Sequence, residues 1–335
     1  MRTPTAPTAQ TAQTAPAAPA PVALRLLRLA RPRMWAPLIG LLLFGWGLGH
    51  WTLAAPLTGL NGLLQLILAW TCLHAGALWL NAVRDQDDGP VLFGGPPAPP
   101  PAAAGPLSGL ALLACPVLAA PAGVGPALCA LGCAALAVAY SHPAAAWKGH
   151  PLAGPLTNAV GYGALTPLAG YLLVGRPDDP RLPLALLGCA LTMASLSFAA
   201  MVWQGPADAA RGDRTLAATH GADGALRAAR LCLALAGVPV VMGALWGLFP
   251  RVVLVGAALL PWADAPLRAW QRAAEPGDPA AGPARALNYL RRLGRLCLAC
   301  LGCALIDYLW DDLHGRALAG RGTAWTPTLP VEEAP

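Results

Sequence analysis

Charge is the scarcest property of this 335-residue chain. Only 11% of its residues are Asp, Glu, Lys or Arg, and its mean hydropathy is +0.53. Soluble domains carry roughly 25% charged residues, so the polar surface that would coat a water-borne globule of this size is missing. Aromatic residues are also few, at 6%. No basic cluster is interleaved with them, which excludes a nucleic-acid interface built on stacking and cationic side chains. The nine cysteines sit mostly inside apolar runs, without the spacing of a zinc site or the framework of a secreted disulfide scaffold. Cys297, Cys300 and Cys303 repeat every third residue, the mark of a close-packed helix face. Lys148 is the only lysine among 22 Lys and Arg residues.

What is present in abundance is aliphatic sequence in long charge-free runs, each near the ~20 residues that cross a bilayer. The pattern predicts an all-α polytopic membrane bundle of about nine transmembrane helices around a central cavity. The apolar segments are 34–55, 60–84, 107–123, 126–141, 153–175, 182–204, 228–249, 251–270 and 292–311. Residues 1–22, a repeat of Ala, Pro, Thr and Gln, read as a disordered tail. In 23–33, Arg25, Arg28, Arg31 and Arg33 recur among leucines, a basic amphipathic segment suited to a membrane surface. Residues 34–311 form the membrane domain and 312–335 a C-terminal tail.

An odd number of spans puts the two ends of the chain on opposite sides. With the N-terminus inside, 17 of the 22 Arg and Lys residues fall in inner segments. Arg176, Arg181, Arg251, Arg316 and Arg321 are the outer ones. Cytoplasmic loops collect basic residues, so the expected placement is a multi-pass protein of the cell membrane. Its N-terminus and polar loops would be cytoplasmic and its C-terminus outside.

The polar residues concentrate in three inner loops. After the second segment stand Asn81, Arg84, Asp85, Gln86, Asp87 and Asp88. Asn81, Asp85 and Asp88 lie at i, i+4, i+7, one stripe of a continuing helix. Three carboxylates so close repel one another, and a hard divalent cation such as Mg²⁺ relieves that repulsion. A solvated helix end before the Pro-rich 89–106 connector explains the same residues without a metal. After the sixth segment, Gln204, Asp208 and Arg211 repeat the same spacing. A bundle can bring these two acidic ends together. Between them, Tyr140-Ser141-His142 leads to Lys148, either a phosphate contact or a positive-inside anchor. Asn158, inside a span, is costly unless hydrogen-bonded and so is a candidate functional residue.

Three motifs occur in order: Asn81-x-x-x-Asp85-x-Asp87, then Tyr140-Ser-x-Pro with Lys148 and Asn158-x-x-Gly161-Tyr-Gly163, then Asp208-x-x-x-Gly212-x-Arg214-Thr215. Together they resemble the UbiA-type intramembrane prenyltransferase superfamily over roughly residues 30–310. The resemblance implies an enzyme that moves an isoprenyl group from a prenyl diphosphate to a lipid-soluble acceptor, a quinone precursor or a carotenoid, with Mg²⁺ as cofactor. It implies metal binding by Asn81, Asp85, Asp87, Asp88 and Asp208. It also implies that Lys148 and Arg214 contact phosphate oxygens and that Tyr140 and Asn158 line the cavity, with Asp85, Asp208 and Lys148 catalytic. The chain departs from the family pattern at Ala82, Gly89, Ala146 and Gln204. The residues alone also fit a non-catalytic membrane transporter or lipid-binding protein on the same scaffold, in which they would coordinate an ion or a solute. The general base is not legible; His142 and His150 lie in the right loop.

Overall fold

The computed structural model describes residues 20–53, 57–85, 99–175 and 177–313, with the backbone alone for 308–313. The described residues form helices and no strand, as the hydropathy pattern requires: in a hydrocarbon solvent a helix satisfies its own backbone hydrogen bonds. In chain order these are α1 (Val22–Leu29), α2 (Trp35–Leu53), α3 (Leu60–Asp85), α4 (Ala104–Ala119) and α5 (Val124–Ser141). Then come α6 (Ala153–Asn158), a π-helical stretch (Ala159–Leu165), α7 (Thr166–Tyr171), α8 (Leu182–Met201) and α9 (Gly205–Arg211). The last four are α10 (Leu216–Leu245), α11 (Val253–Ala258), α12 (Leu260–Gln271) and α13 (Gly282–Leu313).

All nine apolar segments of the sequence fall on these helices, but they are not equivalent as spans. Six helical stretches among the described residues are long and apolar enough to cross a membrane. The other three segments fall short for separate reasons. The segment 153–175 is divided by the π-helical stretch, so α6 and α7 have six residues each. The segment 251–270 breaks at Leu259 into α11 and α12. Helix α13 carries Arg285, Arg291, Arg292 and Arg295 in its first half, and the apolar stretch after them runs beyond the side chains described, which reach Asp307.

The packing is inverted relative to a soluble domain. Large aliphatic side chains such as Leu64, Leu110, Leu113, Val117, Val124 and Leu128 face outward, while alanines dominate the inside. Lipid tails are as apolar as leucine, so small residues that let backbones approach are what hold such helices together. The crossing of α2 and α7 shows it: a Cβ on Gly45 would lie 1.8 Å from the Pro167 carbonyl oxygen, and one on Gly170 would lie 2.1 Å from that of Leu42.

Two main cores result. One joins α2, α3, α4, α5 and α7 around Leu42, Leu66, Trp70 and Leu73. The other joins α8, α10, α12 and α13 around Phe198, Leu226, Leu267 and Tyr289. Buried hydroxyls pin both. The Trp70 indole donates to the Thr166 hydroxyl at 2.9 Å, and that hydroxyl donates to the Gly161 carbonyl at 2.9 Å, inside the π-helical stretch. Ser195 Oγ donates to the Ala229 carbonyl and lies 2.7 Å from the Tyr289 hydroxyl, tying α8, α10 and α13.

Candidate functional site

Helix α3 carries the first acidic motif on its last turns. Asn81 and Asp85 are four residues apart and share one face, with α3 described as far as Asp85. Asp87 and Asp88, expected as metal ligands, lie outside the described residues, as does Gly89. Across from this face, the end of α5 supplies Ser141, whose hydroxyl donates to Asn81 Oδ1 at 3.3 Å. Tyr140 precedes it, half-buried. Asp85 forms an ion pair with the Lys148 ammonium across 63 positions of the chain, and both side chains are largely covered.

The loop that carries Lys148 is shaped by local chemistry. Ala146 adopts a left-handed conformation (φ 45°), an uncommon backbone for a residue with a Cβ. His142 Nδ1 accepts from the Ala144 amide, and His150 Nδ1 accepts from the Leu152 and Ala153 amides. The two histidines in the expected loop therefore cap turns. Gly149 is where this loop meets the second motif. Its carbonyl accepts from the Arg214 amide at 2.7 Å, and a Cβ there would lie 2.5 Å from Asp213 Oδ1.

The second motif organises itself. Asp208 sits on α9, 5% exposed. Its Oδ1 accepts from Arg211 at 2.5 Å and its Oδ2 from the Thr215 hydroxyl at 3.1 Å. Arg211 also reaches Asp213 at 3.3 Å. Thr215 in turn caps α10, accepting from the Ala218 amide at 3.3 Å, the usual task of a hydroxyl before an apolar helix. Burial pushes the Asp208 carboxyl above its ordinary range, against the Thr215 hydrogen bond and the charges of Arg211 and Lys148. Burial and the Arg211 guanidinium push the Lys148 amine down, while Asp213 and Asp208 pull it up. The sequence-predicted residues are thus joined in a chain: Asn81 and Asp85 on α3, Lys148 against Asp85, and the Lys148 loop seated on Asp213 and Arg214 beside Asp208. Arg214 enters through its backbone, with its side chain exposed, and Asn158 stands half-buried where α6 passes into the π-helical stretch.

Sequence reasoning did not single out His74. It lies seven residues before Asn81, on the same stripe of α3, and is 3% exposed. Its Nδ1 is 3.2 Å from the Tyr162 hydroxyl, with the rings edge-on at 6.0 Å. Its Nε2 is buried without a partner among the described residues. The spacing to Asn81 was the available signal. Trp203, just past the end of α8, stacks on Trp270 at 6.4 Å.

Among the described residues no three His, Cys, Asp or Glu side chains stand together as a ready metal cluster. The donor chemistry nevertheless suits Mg²⁺, which takes hard oxygens. Asp85 and Asp208 offer carboxylates and Asn81 an amide oxygen, and each carboxylate is neutralised by a cation that a phosphate could attract away.

No family model and no curated protein matches the chain. Solved structures do. A digeranylgeranylglyceryl phosphate synthase is 15% identical with a TM-score of 0.58, covering 83% of this chain and 98% of that one. A UbiA homolog from Archaeoglobus fulgidus bound to GPP and Mg²⁺ is 18% identical with a TM-score of 0.57, covering 82% and 99%. The same homolog bound to DMAPP and Mg²⁺ gives the same values. At these identities the likeness speaks for architecture: the chain has the all-helical membrane fold of the UbiA homologs.

Proposed function

We propose that this protein is an integral membrane prenyltransferase that moves an isoprenyl group from a prenyl diphosphate to a lipid-soluble acceptor. The observation that carries this reading is the Asp85–Lys148 ion pair, because it joins the first acidic motif to the loop seated on the second. The fold supports it, since UbiA homologs of the same architecture are bound to GPP or DMAPP with Mg²⁺.

In this mechanism Lys148 leaves Asp85 for a phosphate oxygen when the diphosphate arrives, and Arg211 is drawn from Asp208 in the same way. The freed oxygens of Asp85 and Asp208, with Asn81 and the neighbouring Asp87 and Asp88, would hold Mg²⁺, which would supply positive charge against that developing on the leaving group, the electrostatic effect that contributes most in such sites. Lys148 and Arg214 stabilise the departing diphosphate, which takes the electron pair of the broken C–O bond. The allylic cation is shielded from water within the bundle and faces Tyr140 and Asn158. An aromatic face stabilises a desolvated cation by up to ~2 kcal/mol. His74 lies ~10 Å deeper than Asn81 along α3, at 1.5 Å per residue. With Tyr162 it gives the acceptor's polar group a hydrogen-bonding floor. Of the two acceptor classes, a quinone precursor brings a polar group to this floor, whereas a hydrocarbon carotenoid would rest on the apolar walls alone. The arginine bias orients the acidic motifs and the N-terminus to the cytoplasm and the C-terminus outside.

The test is pyrophosphate release from geranylgeranyl diphosphate by the purified full chain in liposomes. Release should require Mg²⁺, cease with EDTA and return when Mg²⁺ is restored. Binding of the diphosphate without any release, with or without candidate acceptors, would instead identify a lipid-binding or transport protein.

A further inference from the structure

Helices α12 and α13 form a surface site that the prenyl-transfer reading leaves unused. A groove of about 310 Å³ runs between them, lined by Leu259, Trp262, Arg295, Leu296 and Ala299. Its charge is unbalanced. Arg291 and Arg295, four residues apart on α13, are exposed. Neither forms an ion pair or a side-chain hydrogen bond among the described residues. Arg292 is anchored instead, its guanidinium 5.2 Å over the Trp262 ring and donating to the Trp262 carbonyl at 3.3 Å. Asp264, on α12, is already paired with Arg230 at 3.0 Å and Arg268 at 3.3 Å. Like charges at i and i+4 repel each other, and an anion seated between Arg291 and Arg295 would relieve that repulsion.

Polarity changes sharply along the same face. Past Arg295 the exposed large side chains of α13 are Leu298, Leu301, Leu305 and Ile306, as far as the exposed Asp307. Across the groove Leu259 and Trp262 are also exposed. Trp and Arg mark the headgroup level of a bilayer, and the leucines mark its acyl region. The Trp203–Trp270 stack puts the end of α12 beside the end of α8, where the Asp208 motif begins, so this step in polarity belongs to the same membrane face as the candidate site. Basic pockets between membrane helices suit anionic headgroups, and arginine grips phosphate with a planar fork.

We infer that this groove binds one anionic phospholipid, its phosphate held by Arg291 and Arg295 and an acyl chain lying along Leu259, Leu296 and Ala299. Native mass spectrometry of the purified full chain, given phosphatidylglycerol or phosphatidylcholine in neutral detergent, tests it. The wild type should retain one phosphatidylglycerol per chain and little phosphatidylcholine. The double variant Arg291→Gln/Arg295→Gln should retain about tenfold less, a change equivalent to ~1.4 kcal/mol. Ala299→Trp, which fills the groove and keeps both arginines, should lose the lipid as well, and this variant decides the matter if the double variant fails to fold. Equal retention of the two lipids by the wild type, or undiminished retention by Ala299→Trp, overturns the inference. So does thermal stabilisation by inorganic phosphate matching that by phosphatidylglycerol, which would identify an anion site without an acyl groove.

Discussion

The two acidic motifs reach the same end of the bundle by opposite means. Asp85 is held by Lys148, 63 positions away and on another loop. Asp208 is held by Arg211 and Thr215, three and seven residues on. The first arrangement exists only when α3, α5 and the loop after α5 are packed; the second is nearly complete within one turn–helix unit. One motif can therefore be loosened from afar, whereas the other is disturbed mainly by its neighbours.

The strongest way to break the comparison is to remove either carboxylate. Asp85→Ala and Asp208→Ala should each lower kcat/KM for prenyl transfer by about 10³-fold, within the range for losing one electrostatic contact in a preorganised site. Both proteins should remain helical by circular dichroism, and full turnover by either would place the chemistry elsewhere. A milder disruption is Lys148→Ala, which removes the link from loop to α3. It should raise KM for the prenyl diphosphate by about tenfold or more, as expected for a charge-assisted phosphate contact, and titration with geranylgeranyl diphosphate measures this.

Acidity sharpens the contrast further. Asp208 must be ionised to act, and burial raises its pKa. Activity should therefore fall as pH drops through a value above the ordinary ~3.9 of an aspartate. Thr215→Val removes a hydrogen bond that favours the carboxylate, so it should move this acid limb to still higher pH; an unmoved limb would assign it to another group. The smallest expected effect is on folding. Thr215→Val also removes the cap of α10, costing about 1 kcal/mol, visible as a lower melting temperature in detergent.

Much of this was legible in one dimension. Scarce charge and long apolar runs led directly to the helical membrane fold. The i, i+4 repeats at Asn81–Asp85 and Gln204–Asp208 marked both motifs, because three- and four-residue spacing is a local property of a helix. The span count was less legible. Hydropathy registers the apolar segment 153–175 but not the π-helical stretch that divides it, since that break is braced by Trp70 through Thr166 from another helix. The histidines show the same limit: His142 and His150 drew notice as loop residues and turned out to cap turns, while His74 lay hidden in an apolar run.

Composition and spacing alone determined the solvent this chain folds in, its helical class, and the two acidic helix ends where charge gathers. These follow from the cost of placing polar groups in hydrocarbon and from the helical period, both local. Tertiary structure alone decided that Lys148 closes on Asp85, that Gly149 seats against Asp213, and that His74 meets Tyr162. Each of these joins residues remote in sequence, and their approach depends on which small side chains let two backbones pack closely, which no local pattern encodes.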